Sequence, residues 1–340
     1  MKHLKKILIG LFLLIFVFSA WNIFGPTLTT PQDKYFFVYT GADYDDVKSG
    51  LTNQNIISTD FFFDLICKTI DYPAHIKPGR YQINEGGNLI SLIRKLKSGN
   101  QKEVRLIINK LRTKEDLAKK IGENFECDSI EAIQFLTNND SLSPFQLDTN
   151  TVMSIIIPNS YLFWWNGPFS KIMKRLKTQH DLFWEGERTQ KAKAKGVTPI
   201  QIYTIASIVE EETNMENDKP KVASVYLNRL KKGMKLEADP TVKYAMRQFE
   251  LKRVLHGHLS YSSAYNTYQQ IGLPPGPICT PSINTIDAVL DAPSTDYLFF
   301  VANPDFSGYS TFTNNYGEHI KNAKLYQQAL DQYLTNKSTR

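Results

Sequence analysis

The sequence predicts an α+β protein: an N-terminal transmembrane helix, a small α/β module, and a larger mixed α+β domain. Three observations lead to it. Residues 7–24 carry no charge and are almost wholly apolar. Residues 34–108 alternate short β-rich stretches with amphipathic ones. From Thr198 onward, helical patterns separated by Pro- and Gly-containing loops give way to two strand-like stretches and a last helix. The length of 340 residues suits two domains, and 42% hydrophobic with 22% charged residues fits an ordered globular chain.

The run ILIGLFLLIFVFSAWNIF, Ile7 to Phe24, is close to the roughly 20 residues needed to span a bilayer. Lys2, Lys5 and Lys6 precede it and the next basic residue is Lys34, so the positive-inside rule puts residues 1–6 in the cytoplasm and the body outside. Ser19-Ala20 offers small residues for a signal-peptide cut, yet Trp21, Ile23 and Phe24 carry the apolar run past them. An uncleaved anchor over 7–25 is expected, with a single helix in the membrane.

After a short Pro-containing linker, Tyr35 to Tyr39 is a strand candidate, Asp45–Leu51 and Thr59–Thr69 are helical, and Lys77-Pro78-Gly79-Arg80-Tyr81 turns into a strand. Leu89–Leu96 is a helix ended by Ser98-Gly99, and Val104–Ile108 is a further strand. Thr113-Lys114-Glu115-Asp116 resembles a capping box. The module and a helical connection are expected over 32–150, and the larger domain over 151–335. Ile155 to Tyr161 reads as a strand into a turn, Phe169–Leu182 as a helix, and the charged run Glu185–Lys195 as a solvated face.

Several function classes fall away. The net charge is +6, and three of those charges precede the apolar run, which leaves too little for a nucleic-acid partner. Cys67, Cys127 and Cys279 are far apart and form no C-x-x-C, so they read as structural. His256-Gly257-His258 has no third ligand in view and reads as a loop. Neither a metal nor an organic cofactor is expected.

The chemical core lies in PIQIYTIASIVEEET. Thr198 can cap this helix and Pro199 suits its first turn. At about 100° per residue, with Ile205 at zero, Val209 falls near roughly +40° and Glu212 near roughly −20°, inside the apolar face. Glu210 and Glu211 fall near roughly 140° and 240°, toward water or a polar partner. A carboxyl on an apolar face should have a raised pKa, as a general acid near neutral pH requires. By periodicity alone, a Glu that escapes to solvent from a fraying last turn is equally good. Downstream, Lys219–Lys232 is a second amphipathic helix, with Val222, Val225, Tyr226 and Leu230 on one face and Gly233 to end it. Asp239-Pro240 reads first as the cap of a third, Thr241–Met246. Gly272-Leu273-Pro274-Pro275-Gly276-Pro277-Ile278 is a rigid loop. Tyr297–Val301, Thr311–Thr313 and a helix from about His319 close the chain.

Five blocks, in order, resemble the MltG/YceG-type endolytic murein transglycosylases: Ala206 to Thr213, Lys221 to Leu230, Asp239 to Tyr244, Tyr265 to Tyr268, and GLPPGPI. The likeness is strongest over about 200–320. It reaches the N-terminal module through Lys77 to Tyr81 and Leu92 to Gly99, and Pro158 to Tyr161 resembles another family turn. The resemblance implies that the N-terminal module is LysM-like and that residues 151–335 form the catalytic domain. It implies an endolytic lytic transglycosylase that cleaves between MurNAc and GlcNAc in nascent glycan strands, leaving 1,6-anhydroMurNAc ends and helping terminate strand elongation. The family's catalytic glutamate precedes Thr in E-x-E-T, which is Glu212 here. Expected substrate-binding candidates are Glu210, Asn228, Glu237, Asp239, Tyr265 and Asn266. Arg229 reads as a partner for a neighbouring Glu.

Expected partners are peptidoglycan glycan strands, the membrane through one helix and, at family level, peptidoglycan synthases. The expected location is the cytoplasmic (inner) membrane, with the body on the extracytoplasmic side. Relatives commonly have a basic residue at Glu211, Gln at Glu237 and Pro at Ala264, and some have His at Ser310. Two rival functions remain: a non-catalytic peptidoglycan-binding scaffold, and a glycan hydrolase pairing Glu212 with Glu237 or Asp239.

Overall fold

The computed structural model describes residues 2–338. Met1 of the expected tail lies outside the described residues, as does the side chain of Lys2, one of the lysines used to orient the apolar run. The chain forms two compact units. One takes the chain up to Leu106, with Ile121–Asp128 and Tyr161–Pro168; the other takes Ile107–Lys120, Ser129–Ser160 and the chain from Phe169 onward. The boundary expected near residue 150 thus falls inside the second unit.

In the first unit, α1 (Lys2–Phe24) includes a stretch, His3–Phe24, with mean hydropathy 2.5 and none of its apolar window buried. It is long and apolar enough to cross a membrane. Strand β1 (Tyr35–Val38) is followed by α2 (Tyr44–Asn53), α3 (Asp60–Thr69), β2 (Gly79–Gln82), α4 (Leu89–Ser98) and the start of β3 (Val104–Ile108). β1 and β2 pair antiparallel, with Phe36 opposite Tyr81. Both of those rings are buried with Leu51, Phe63, Ile93 and Leu96 in one core. Asp43 closes a capping box on α2, Asn88 caps α4, and Gly99 ends α4 in the left-handed region at φ 72°, where a residue without Cβ is favoured.

The second unit is mostly helical. Its elements are the start of α5 (Lys114–Asn124), then α6 (Ser129–Leu136), α7 (Asn139–Leu142), the start of β4 (Asn159–Phe163), α8 (Phe169–Trp184), α9 (Glu187–Ala194), α10 (Pro199–Glu212), α11 (Lys219–Lys231), α12 (Asp239–Ala245), α13 (Ile283–Leu290), β5 (Phe299–Ala302), β6 (Ser310–Thr313) and α14 (Tyr316–Ser338). α10 is the hub. Thr198 and Gln201 form a reciprocal capping box at its start, and every residue from Ile202 to Val209 is buried. It packs on α9, α11, α12 and α13. Enclosure on all sides, not one apolar stripe, is why its hydrophobic pattern runs round the helix.

Four expectations are corrected. The strand placed at Ile155–Tyr161 begins only at Asn159, because Val152–Ile155 form a buried 3-10 turn. The run Glu185–Lys195 is not merely a solvated face: Arg188 holds Asp287 through two hydrogen bonds of 2.8 and 3.0 Å, Lys191 reaches Asp291 at 2.7 Å, and Ala192 is fully buried. The last helix starts at Tyr316, three residues before the expected His319. Asp239 is not a cap: Ala238 holds the N-cap position, and Asp239 is the first residue of α12.

Candidate functional site

The three glutamates that end α10 have different company. Glu210 accepts from Ser282 Oγ at 3.0 Å and from Thr285 Oγ1, with Lys219 Nζ 3.6 Å away. It latches α10 to the N-terminus of α13 and the start of α11. Glu211 meets Lys110 at 2.6 Å and Arg112 at 3.4 Å. Burial works against its charge, but the two cations more than offset this and hold its carboxyl below the usual carboxylate range. The segment bearing those cations is fixed by Thr280, whose Oγ1 accepts from Leu111 N–H and donates to Asn109 O.

Glu212 has no ion pair among the described residues. Its Oε1 accepts from Tyr226 Oη at 2.6 Å, across from α11. Burial pushes its carboxyl up to about 7; the Tyr226 hydrogen bond works against that rise, and the charge of Asp239 adds to it. The expected phase of Glu210 and Glu211 therefore resolves to polar partners rather than water, and Glu212 is distinguished by having no ion pair among the described residues.

Glu212 lines a cleft of about 300 Å³ in the second unit. Tyr226, Arg229 and Leu236 share it, as do Glu237, Asp239, Tyr268, Phe300 and His319. Asp239 Oδ1 accepts from Tyr268 Oη at 2.7 Å. Arg229 is buried and donates from Nε to Leu298 O at 2.7 Å, and from Nη1 to Leu236 O at 3.0 Å and Glu237 Oε2 at 2.9 Å. Glu237 sits in the left-handed region at φ 54°, its N–H donating to Thr267 O. The cleft thus holds one paired carboxylate, one hydroxyl-bound carboxylate and one carboxyl with a raised pKa.

Of the residues singled out in the sequence, Glu212, Glu237 and Asp239 come together here, with Arg229 as the expected partner of a neighbouring Glu, which is Glu237. Glu210, Asn228, Tyr265 and Asn266 do not line this cleft. Asn228 donates from Nδ2 to Thr295 O and Tyr297 O, both at 3.0 Å, and so holds the approach to β5. Buried Asn266 donates to Leu259 O and Tyr261 O and accepts from Tyr268 N–H, which shapes the loop that presents Tyr268. Tyr265 lies against Tyr244, ring centroids 4.8 Å apart. His258 Nδ1 accepts from Leu255 N–H in a short turn. Tyr226, Tyr268, Phe300 and His319 are the cleft residues that sequence reasoning missed as site residues. Tyr226 was legible only as one of an apolar face, since nothing local tells its hydroxyl to meet Glu212.

The GLPPGPI loop is tied to α10 where Ile278 N–H donates to Ser207 Oγ at 3.0 Å. A Cβ on Gly276 would lie 2.0 Å from Asn150 O, so only glycine fits. Gly276→Ala is expected to destabilise the protein by about 2 kcal/mol or more, since backbone must move to admit the methyl; urea unfolding with an unchanged midpoint would contradict the close approach.

The profile of the YceG-like family matches residues 36–325 of this chain. A protein of Bacillus subtilis (strain 168) named endolytic murein transglycosylase is 28% identical over 338 residues, covering 93% of this chain and 91% of that protein. One of the same name from Streptococcus pneumoniae (strain ATCC BAA-255 / R6) is 24% identical over 365 residues, covering 94% of this chain and 65% of the relative. A crystal structure of a yceG-like protein from Listeria monocytogenes superposes with a TM-score of 0.56 at 23% identity, over 85% of this chain and 99% of that one, a likeness of fold.

Proposed function

This chain belongs to the YceG-like family, and we propose that it is an endolytic murein transglycosylase acting through Glu212. The observation that carries this reading is the Glu212 carboxyl, held by the Tyr226 hydroxyl and with no ion pair among the described residues, lining a polar cleft where burial pushes its pKa up to about 7. A group with that pKa is protonated in an appreciable fraction of molecules at neutral pH and returns readily to carboxylate.

In the proposed reaction, the Glu212 proton goes to the glycosidic oxygen as the bond to MurNAc C1 breaks, releasing the GlcNAc-side hydroxyl. Tyr226 occupies Oε1, which leaves Oε2 as the oxygen that carries the proton. The carboxylate then takes the proton of the MurNAc C6 hydroxyl, whose oxygen bonds to C1 and forms the 1,6-anhydro ring. Water is not consumed, and Glu212 ends as it began. The tethered hydroxyl attacks with a large effective concentration. Asp239, held by Tyr268, supplies negative charge for the positive character that develops at C1.

Glycan strands are the proposed substrate. A LysM-like N-terminal module, a catalytic domain that carries Glu212, strand termination and association with peptidoglycan synthases are part of the same proposal. So is single-pass insertion in the cytoplasmic membrane with the body outside, supported by the exposed apolar residues of α1 and the lysines that precede its apolar run. Asp239 in the same cleft also suits a two-carboxylate hydrolase. Mass spectrometry of products from purified peptidoglycan separates the two. Anhydro ends support the lyase; reducing MurNAc ends, one water heavier, overturn it. Equal amounts of anhydro product from wild type and Glu212→Gln overturn the catalytic reading of Glu212.

Tyr226→Phe removes the hydrogen bond that favours the Glu212 carboxylate. The fall of activity at high pH should then move to higher pH, because the carboxyl becomes a weaker acid. The maximal rate should drop about fivefold, the worth of one hydrogen bond of ~1 kcal/mol. A pH–rate profile that moves to lower pH would contradict this.

A further inference from the structure

His319 is the cleft residue for which the proposed reaction has no use. Its ring stacks on Phe299, with centroids 5.2 Å apart and planes 23° apart, and lies 6.3 Å from the ring of Tyr316. Tyr316 also touches Phe299, at 5.5 Å, and is 64% exposed. The three rings form a cluster that fixes the imidazole where β5 meets the first turns of α14. His319 Nδ1 is buried and has no hydrogen-bond partner among the described residues.

That orphan nitrogen decides the tautomer. A buried N–H without an acceptor costs more than a buried lone pair, so the proton sits on Nε2. Burial, the Arg229 charge and, in the other direction, Glu237 act on the ring; the net effect holds its pKa below the ordinary histidine range. His319 therefore meets the cleft as a neutral imidazole with one N–H to offer. The cleft has no unpaired cation among the described residues, since Arg229 is taken up by Glu237 and backbone carbonyls.

We propose that His319 is a glycan-binding residue of the Glu212 cleft, donating from Nε2 to an uncharged oxygen of the bound amino sugar, a hydroxyl or an acetamido carbonyl, while Phe299 and Tyr316 hold its ring in place. The inference rests on the transglycosylase reading, and it adds a contact that contributes to binding and not to proton transfer. Lactyl and peptide carboxylates of the substrate are left outside this part of the cleft, where Asp239 and Glu237 would repel them.

The test uses the full-length protein and uncrosslinked peptidoglycan glycan strands, with two variants. His319→Phe keeps the ring stack and removes the donor. His319→Gln places an amide N–H close to the Nε2 position. Binding is measured in the non-cleaving Glu212→Gln background, and KM and kcat are measured with Glu212 intact. His319→Phe should weaken binding and raise KM about 5- to 10-fold, as loss of one hydrogen bond predicts, with kcat within about twofold. His319→Gln should stay within about threefold of the parent. Equal losses in both variants, or no change in His319→Phe, overturns the inference while cleavage by wild type upholds the functional reading. A wild type that neither binds nor cleaves strands overturns both.

Discussion

Replacing Glu212 with Gln is expected to lower glycan cleavage by about 10³-fold or more, because in the proposed reaction one carboxyl serves as both acid and base and such groups contribute roughly 10²–10⁴ each. The same substitution should raise stability above neutral pH. In the unfolded chain the carboxyl titrates near its ordinary 4.5; in the folded protein it titrates near 7. Below about pH 4.5 both states carry the proton and Glu212 contributes nothing to pH dependence. Between 4.5 and 7 the unfolded state releases its proton first, so wild-type stability falls as pH rises; above 7 the loss is complete. Glu212 keeps partial solvent access, which moderates the loss to on the order of 2 kcal/mol. Glu212→Gln should therefore melt several degrees above wild type at pH 8 and level with it at pH 4.5. A difference that does not vary with pH would show that the carboxyl is not held protonated. Activity of wild type should decline above about pH 7, where the acid is lost.

The largest stability effect is expected at Arg229. Its guanidinium is buried and satisfies Leu298 O, Leu236 O and Lys235 O while neutralising Glu237. Arg229→Met strands three carbonyls and a carboxylate. About 3–4 kcal/mol should be lost, of the size seen when one partner of a buried pair is removed. Arg229→Lys should recover only part, because a lysine cannot fork to several acceptors. Urea unfolding read by circular dichroism measures both. A loss under about 1 kcal/mol in Arg229→Met would mean that water or neighbouring groups replace its bonds. Since Arg229 also positions Glu237 and the segment before Asp239, cleavage should fall in Arg229→Met even well below its melting temperature.

The local signals in this sequence were strong where one residue's chemistry dictates its neighbours. Thr198-Pro199 did begin α10, Gly99 did end α4, and Val104–Ile108 did form a strand with those bounds. The signals failed where distant chain decides. Ser282 caps α13, a helix for which the sequence offered only a short stretch between prolines and acids, and Glu210 from α10 completes that cap. The run Glu185–Lys195 looked solvated because its partners, Asp287 and Asp291, lie about a hundred residues away. Asp239 looked like a cap because Asp-Pro commonly is one; the hydroxyl of Tyr268 claims its carboxylate instead.

The sequence by itself set Glu212 apart from Glu210 and Glu211 by helical phase, and a resemblance in five blocks pointed to the same residue. Helical phase could not give the reason, because α10 is enclosed on every side and its wheel has no single apolar face. Only the tertiary structure brought Lys110, Arg112 and Lys219 to Glu210 and Glu211 and left Glu212 with a tyrosine hydroxyl. A carboxyl's proton affinity depends on the charges and solvent within a few ångströms, and those come from chain far away in sequence. The residue was legible early; its acidity, its cleft and the imidazole that shares it belong to the fold.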